Sequence, residues 1–95
     1  MKMINASFFI KEDKREEFLS VVNPLIQATR EEEGCVQYNL YESVEEANAF
    51  MMVEIWEDQN AIDGHNKSPL LLELFNKIPE FSSKKPIVRV SEMGE

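Results

Sequence analysis

Residues 3–10, "MINASFFI", are apolar with Asn5 and Ser7 set into one side, and a period of two predicts a strand. Ile4, Ala6, Phe8 and Ile10 fall on one face, and Met3, Asn5, Ser7 and Phe9 on the other. The period then lengthens. Phe18, Val22, Leu25, Ile26 and Thr29 recur at helical spacing opposite a charged side, predicting an amphipathic helix to about Glu33 with Gly34 as its stop. Asp13 and Glu16 have capping-box spacing, and Pro24 predicts a kink or break. Residues 35–42 and 49–56 alternate again, and the polar "SVEEAN" between them predicts a hairpin. Asp58 is placed to cap a short helix through Asp63, closed by Gly64. Ser68 and Pro69 start another helix, with Leu70, Leu71, Leu74, Phe75 and Ile78 as its buried stripe. "KKPIVRVSE" predicts a last strand. The order βαββαβ predicts one α+β domain over residues 1–95: a ferredoxin-like antiparallel sheet with its helices on one face.

The far side of that sheet carries a second expectation. Met51, Val53 and Ile55 are uniformly apolar, which predicts that they lie under the helices. Phe50, Met52, Glu54 and Trp56 then join Asn5, Ser7, Phe9, Gln37, Asn39, Tyr41, Arg89 and Ser91 on the open face. Phe9, Phe50, Met52 and Trp56 would form an exposed apolar patch there, which predicts a homodimer packed through the open face. A domain of 95 residues also gains from the extra burial.

Charge narrows the partners. The net charge of -8 argues against binding nucleic acid, whose phosphates need a basic face, and disfavours an anionic membrane, so neither partner is expected. No apolar run approaches the ~20 residues of a membrane helix, and the N-terminal stretch lacks a signal-peptide layout, so a cytoplasmic location is expected. One histidine and one cysteine leave no zinc-type cluster, and the three scattered glycines form no phosphate-cradling loop. No cofactor and no metal are expected.

Within that frame, His65 is the candidate base, since its ordinary pKa near 6.5 suits proton transfer at neutral pH. Asn5 is a polar residue in an apolar strand and could steady an oxyanion. Trp56 and Phe9 offer an apolar wall for an aromatic ligand. Tyr41 falls on the same face by alternation, and Glu54 is a ligand contact or an ion-pair partner of Arg89. Cys35 reads as a small buried hydrophobe, and "KREE" and "REEE" as solvated helix faces.

"EEEGCVQY", "EIWED" and "HNKSP", in this order, resemble the antibiotic biosynthesis monooxygenase family from Ile4 to about Val90. The resemblance implies a dimeric α/β barrel of two ferredoxin-like sheets packed face to face. It implies a cofactor-independent monooxygenase acting on a small phenolic or quinol-type substrate, with a small-molecule isomerase or a non-catalytic small-ligand-binding dimer as alternatives. Asn5 matches a pocket asparagine of the first strand, Trp56 the tryptophan of an E-x-W motif, and His65 the first histidine of H-x-x-[ST]-P-H. Leu70 replaces the second histidine of that pattern, and Phe75 stands where haem-degrading members carry an iron-binding histidine.

Overall fold

The computed structural model describes residues 1–93; the last two residues of the expected 1–95 domain lie outside the described residues. The chain forms β1 (Lys2–Ile10), a 3-10 turn (Glu12–Lys14), α1 (Arg15–Thr29), β2 (Cys35–Glu42), β3 (Ala49–Trp56), α2 (Gln59–His65), α3 (Pro69–Phe81) and β4 (Ser82–Glu92). The four strands make one antiparallel sheet in the order β2-β3-β1-β4, the ferredoxin-like arrangement.

Local signals account for several element ends. The Asp58 carboxylate accepts from the Ala61 backbone N–H at 2.9 Å and starts α2. The Ser68 hydroxyl accepts from the Leu71 N–H at 3.4 Å, with Pro69 in the first helical turn of α3. Other ends depart from expectation. The 3-10 turn takes the place of a capping box at Asp13, and no side chain caps α1. Pro24 lies on an exposed part of α1, which continues past it to Thr29 and stops well before Gly34. α2 runs through Gly64 and ends on His65 itself. Phe75 is 43% exposed, and Phe81 closes the buried stripe of Leu71, Leu74 and Ile78 in its place.

The largest correction concerns β3. Register places Val53 beside Asn5 and Met51 beside Ser7, so Met51, Val53 and Ile55 lie on the open face. Phe50, Met52, Glu54 and Trp56 point under the helices, all buried, with Ile4, Ala6, Phe8 and Ile10 of β1. Both sets on β3 are mainly apolar, so uniformity does not choose the face; the bulkier set fills the space beneath α1. Phe18 of α1 packs its ring 5.8 Å from Phe8 and 5.0 Å from Phe50. The expected open-face patch of Phe50, Met52 and Trp56 is therefore core. So is Glu54, which cannot meet Arg89, because Arg89 pairs with Asn5 on the opposite side. The placements of Asn5, Ser7, Phe9, Gln37, Asn39 and Tyr41 on the open face agree with the register.

Arg15 ties the base of α1 to the hairpin. Its guanidinium donates to Glu42 Oε1 at 2.8 Å and to Asn48 Oδ1 at 2.9 Å, and it lies over the Phe50 ring. Asn48 adopts φ 64°, a left-handed turn conformation that asparagine tolerates better than most residues.

Candidate active site

The site is assembled where the α1–β2 turn meets α2. Gly34 makes that meeting possible. It has φ +82°, and a Cβ added to it would lie 2.4 Å from Ala61 Cβ. Without a side chain the turn closes onto α2, and the Gly34 carbonyl accepts from the Glu57 N–H at 2.9 Å. The turn thereby carries Glu32 to the C-terminal end of α2, where His65 sits.

His65 is 3% exposed. Its Nδ1 lies 3.0 Å from Glu32 Oε1. Its ring stacks on Trp56 at 4.8 Å with an interplanar angle of 33°, and meets the Tyr38 ring edge-on at 5.3 Å. Nε2 is closed off from water and has no hydrogen-bond partner. The Trp56 Nε1–H donates to Glu54 Oε1 at 3.0 Å. Glu32, His65, Tyr38, Trp56 and Glu54 thus form one continuous polar-aromatic cluster inside the helix-covered side.

Burial governs its electrostatics. It lowers the His65 pKa by disfavouring the imidazolium, while the hydrogen bond and charge of Glu32 pull it back up. Burial lifts the Glu54 carboxyl to about 7, against the lowering effect of the Trp56 bond. The Tyr38 phenol is raised by burial and then by the charges of Glu54 and Glu32. Cys35 is half-buried and also raised by burial, then by Glu32 and Glu54, so its thiol is held protonated.

A partly open depression of about 480 Å³ adjoins His65, with the carboxylates of Glu32, Glu33, Glu57 and Asp58 along it. Its negative rim favours a neutral or cationic ligand over an anion. Among the described residues, no group of three or more His, Cys, Asp or Glu is arranged to hold a metal ion. Among them, too, no helix is long and apolar enough to cross a membrane.

The expected site residues divide between the two sides of the sheet. His65, Trp56 and Glu54 come together on the covered side. Asn5, Phe9 and Tyr41 lie on the open side, where Tyr41 is 52% exposed and its hydroxyl accepts from Asn39 Nδ2 at 3.2 Å. The Lys84 ammonium lies 4.3 Å from the Phe9 ring centre. Asn5 Oδ1 is enclosed and has no hydrogen-bond partner. Glu32 and Tyr38 belong to the His65 cluster without having been singled out from sequence. Tyr38 was legible once Trp56 faces inward, because Tyr38 and Glu54 are register partners.

Residues 1–77 match the sequence profile described as antibiotic biosynthesis monooxygenase. Over 68 residues the chain is 46% identical to YcnE of Bacillus subtilis (strain 168), a protein named provisionally as a monooxygenase, covering 72% of each. It is 33% identical over 86 residues to the uncharacterized protein sll1783 of Synechocystis, covering 90% of this chain but 58% of that longer one. Among solved structures, a conserved protein of Methanosarcina mazei Go1 superposes with a TM-score of 0.92 at 28% identity, covering 98% of this chain and 92% of that one. Rv0793 of Mycobacterium tuberculosis superposes with a TM-score of 0.91 at 26% identity, covering 99% and 95%. The chain belongs to the antibiotic biosynthesis monooxygenase family.

Proposed function

We propose that this protein is a cofactor-independent monooxygenase of a small neutral phenol or quinol, with His65 as its base. The observation that carries the reading is the buried imidazole: one ring nitrogen is held by a carboxylate, and the other is dry and free of any hydrogen bond. Such a ring is set up to accept a proton. The indole face of Trp56 and the ring edge of Tyr38 supply an aromatic surround, and the acidic rim admits neutral molecules more readily than anions.

In this reading the short α2 shifts to bring Nε2 against the substrate hydroxyl. His65 removes the proton, and the phenolate gives its electrons to dioxygen. For a phenol with an open ring position, a C–O bond forms there, water is eliminated as the O–O bond breaks, and the quinone is released. Glu54, its carboxyl lifted by burial to about 7, accepts from the Trp56 indole N–H and so holds in place the ring that backs His65.

Asn5, Phe9 and Tyr41 enter differently. A second copy packed over the open face would cover Met51, Val53, Ile55 and Phe9. These residues are then ligand contacts only from the shared side of a homodimer.

The test is oxygen uptake with a panel of hydroquinones and phenols. The rate should rise with pH through one titration below the ordinary histidine value, because the base form is required and burial depresses its pKa. His65→Gln should lower the rate by roughly 10²–10⁴. A variant with the parental rate would remove His65 from the reaction, and turnover that persists without oxygen would make the protein an isomerase.

A further inference from the structure

We propose that Glu32 is the positioning residue of His65, fixing the imidazole as the tautomer with hydrogen on Nδ1 and the basic lone pair on Nε2. The proposal rests on the reading of His65 as the base, but its structural half stands apart from any activity.

The argument begins with donor and acceptor roles. An ionised carboxylate can only accept. Glu32 Oε1 lies 3.0 Å from Nδ1, so in the neutral ring Nδ1 carries the hydrogen. Nε2 is then the lone-pair nitrogen, and it is the enclosed one with no partner. The ring plane is fixed as well, between Trp56 on its face and Tyr38 at its edge. When Nε2 takes a proton, the imidazolium keeps its bond to Glu32, which offsets part of the cost of placing charge in a buried site.

The pairing is built by the fold and not by sequence proximity. Glu32 belongs to the α1–β2 turn and His65 to the end of α2, and the side-chain-free contact of Gly34 with Ala61 brings them together. Other titratable groups surround the ring without bonding it. They are Tyr38 on β2, Glu54 on β3 beyond the Trp56 indole, and Glu33, Glu57 and Asp58 along the depression. Glu32 alone among them meets a ring nitrogen.

Because the chain has one histidine, ¹⁵N-labelled protein gives a single imidazole spin system. Long-range ¹H–¹⁵N correlation of the neutral form should show a pyrrole-type Nδ1 and a pyridine-type Nε2. Glu32→Ala should lose that bias and shift the His65 titration to lower pH. The acidic limb of the oxygen-uptake rate should follow by the same shift. The kcat should fall roughly 10- to 100-fold, the scale of a lost hydrogen bond to a charged group, with KM unchanged. A pyrrole-type Nε2 in the parent protein, or a His65 titration that Glu32→Ala leaves in place, would overturn the assignment. The expected spectra in a protein that consumes no oxygen would leave the pair standing and remove the oxygenase reading alone.

Discussion

The two faces of the sheet are built from similar residues and come to opposite ends. On the helix-covered face Phe50, Met52 and Trp56 lose nearly all contact with water. On the open face Met51 keeps 39% of its surface and Ile87 45%. The covered face also holds ionisable groups at altered strength, Glu54 and His65, because its low polarity penalises charge. The open face holds Arg89 and an unbonded Asn5 oxygen. One face is completed by its own chain and carries the candidate chemistry. The other keeps apolar residues partly exposed, and it is the face that the proposed homodimer would cover.

That contrast can be broken from either side. Val53→Asp changes the centre of the open face, opposite Asn5. In the proposed homodimer it buries two carboxylates against an apolar surface, at a cost of several kcal/mol each. Light scattering should find the parent protein as a dimer at micromolar concentration and the variant as a folded monomer. A parent that scatters as a monomer would take away the second copy. Trp56→Asp, by contrast, should unfold the chain, because Trp56 has no exposed surface.

A smaller effect sharpens the other side. Glu54 titrates near 7 when folded and near 4.5 when unfolded, so between these values the folded state holds the extra proton. Stability therefore falls as pH rises from about 4.5 to about 7, by on the order of 3 kcal/mol. Glu54→Gln should remove that loss. It should melt higher than the parent at pH 8 and close to it at pH 5, whereas an equal difference at both would show that Glu54 is not strained by ionisation.

The strands and the caps of α2 and α3 were legible because their signals are local, whereas the capping-box spacing at Asp13 gave a 3-10 turn instead. Residues 35–42 and 49–56 alternate within themselves, and Asp58 and Ser68 cap helices within three residues of where they stand. The face of β3 was not legible, since alternation fixes only which residues share a side. Glu32 was hidden for a related reason. In a run of charges it looks like any solvated residue, and only the early end of α1 at Thr29 and the Gly34–Ala61 contact turn it toward His65. His65 and Trp56 were legible as chemistry, and Asn5 as an anomaly. That a sheet separates Asn5 from the other two depended on the one strand whose register could not be read.

The stack of His65 on Trp56 has an optical consequence. The chain contains one tryptophan and one histidine, and their rings lie 4.8 Å apart. A protonated imidazole quenches the emission of an indole it touches, while the neutral ring does so weakly. Fluorescence from Trp56 should therefore carry a dimming step on acidification below the ordinary histidine value of 6.5, and His65→Gln should remove that step while leaving any change caused by Glu54, which titrates near 7 against the indole N–H. The protein carries its own indicator dye, read without a label, and a molecule that slips between the two rings would announce itself in the same signal.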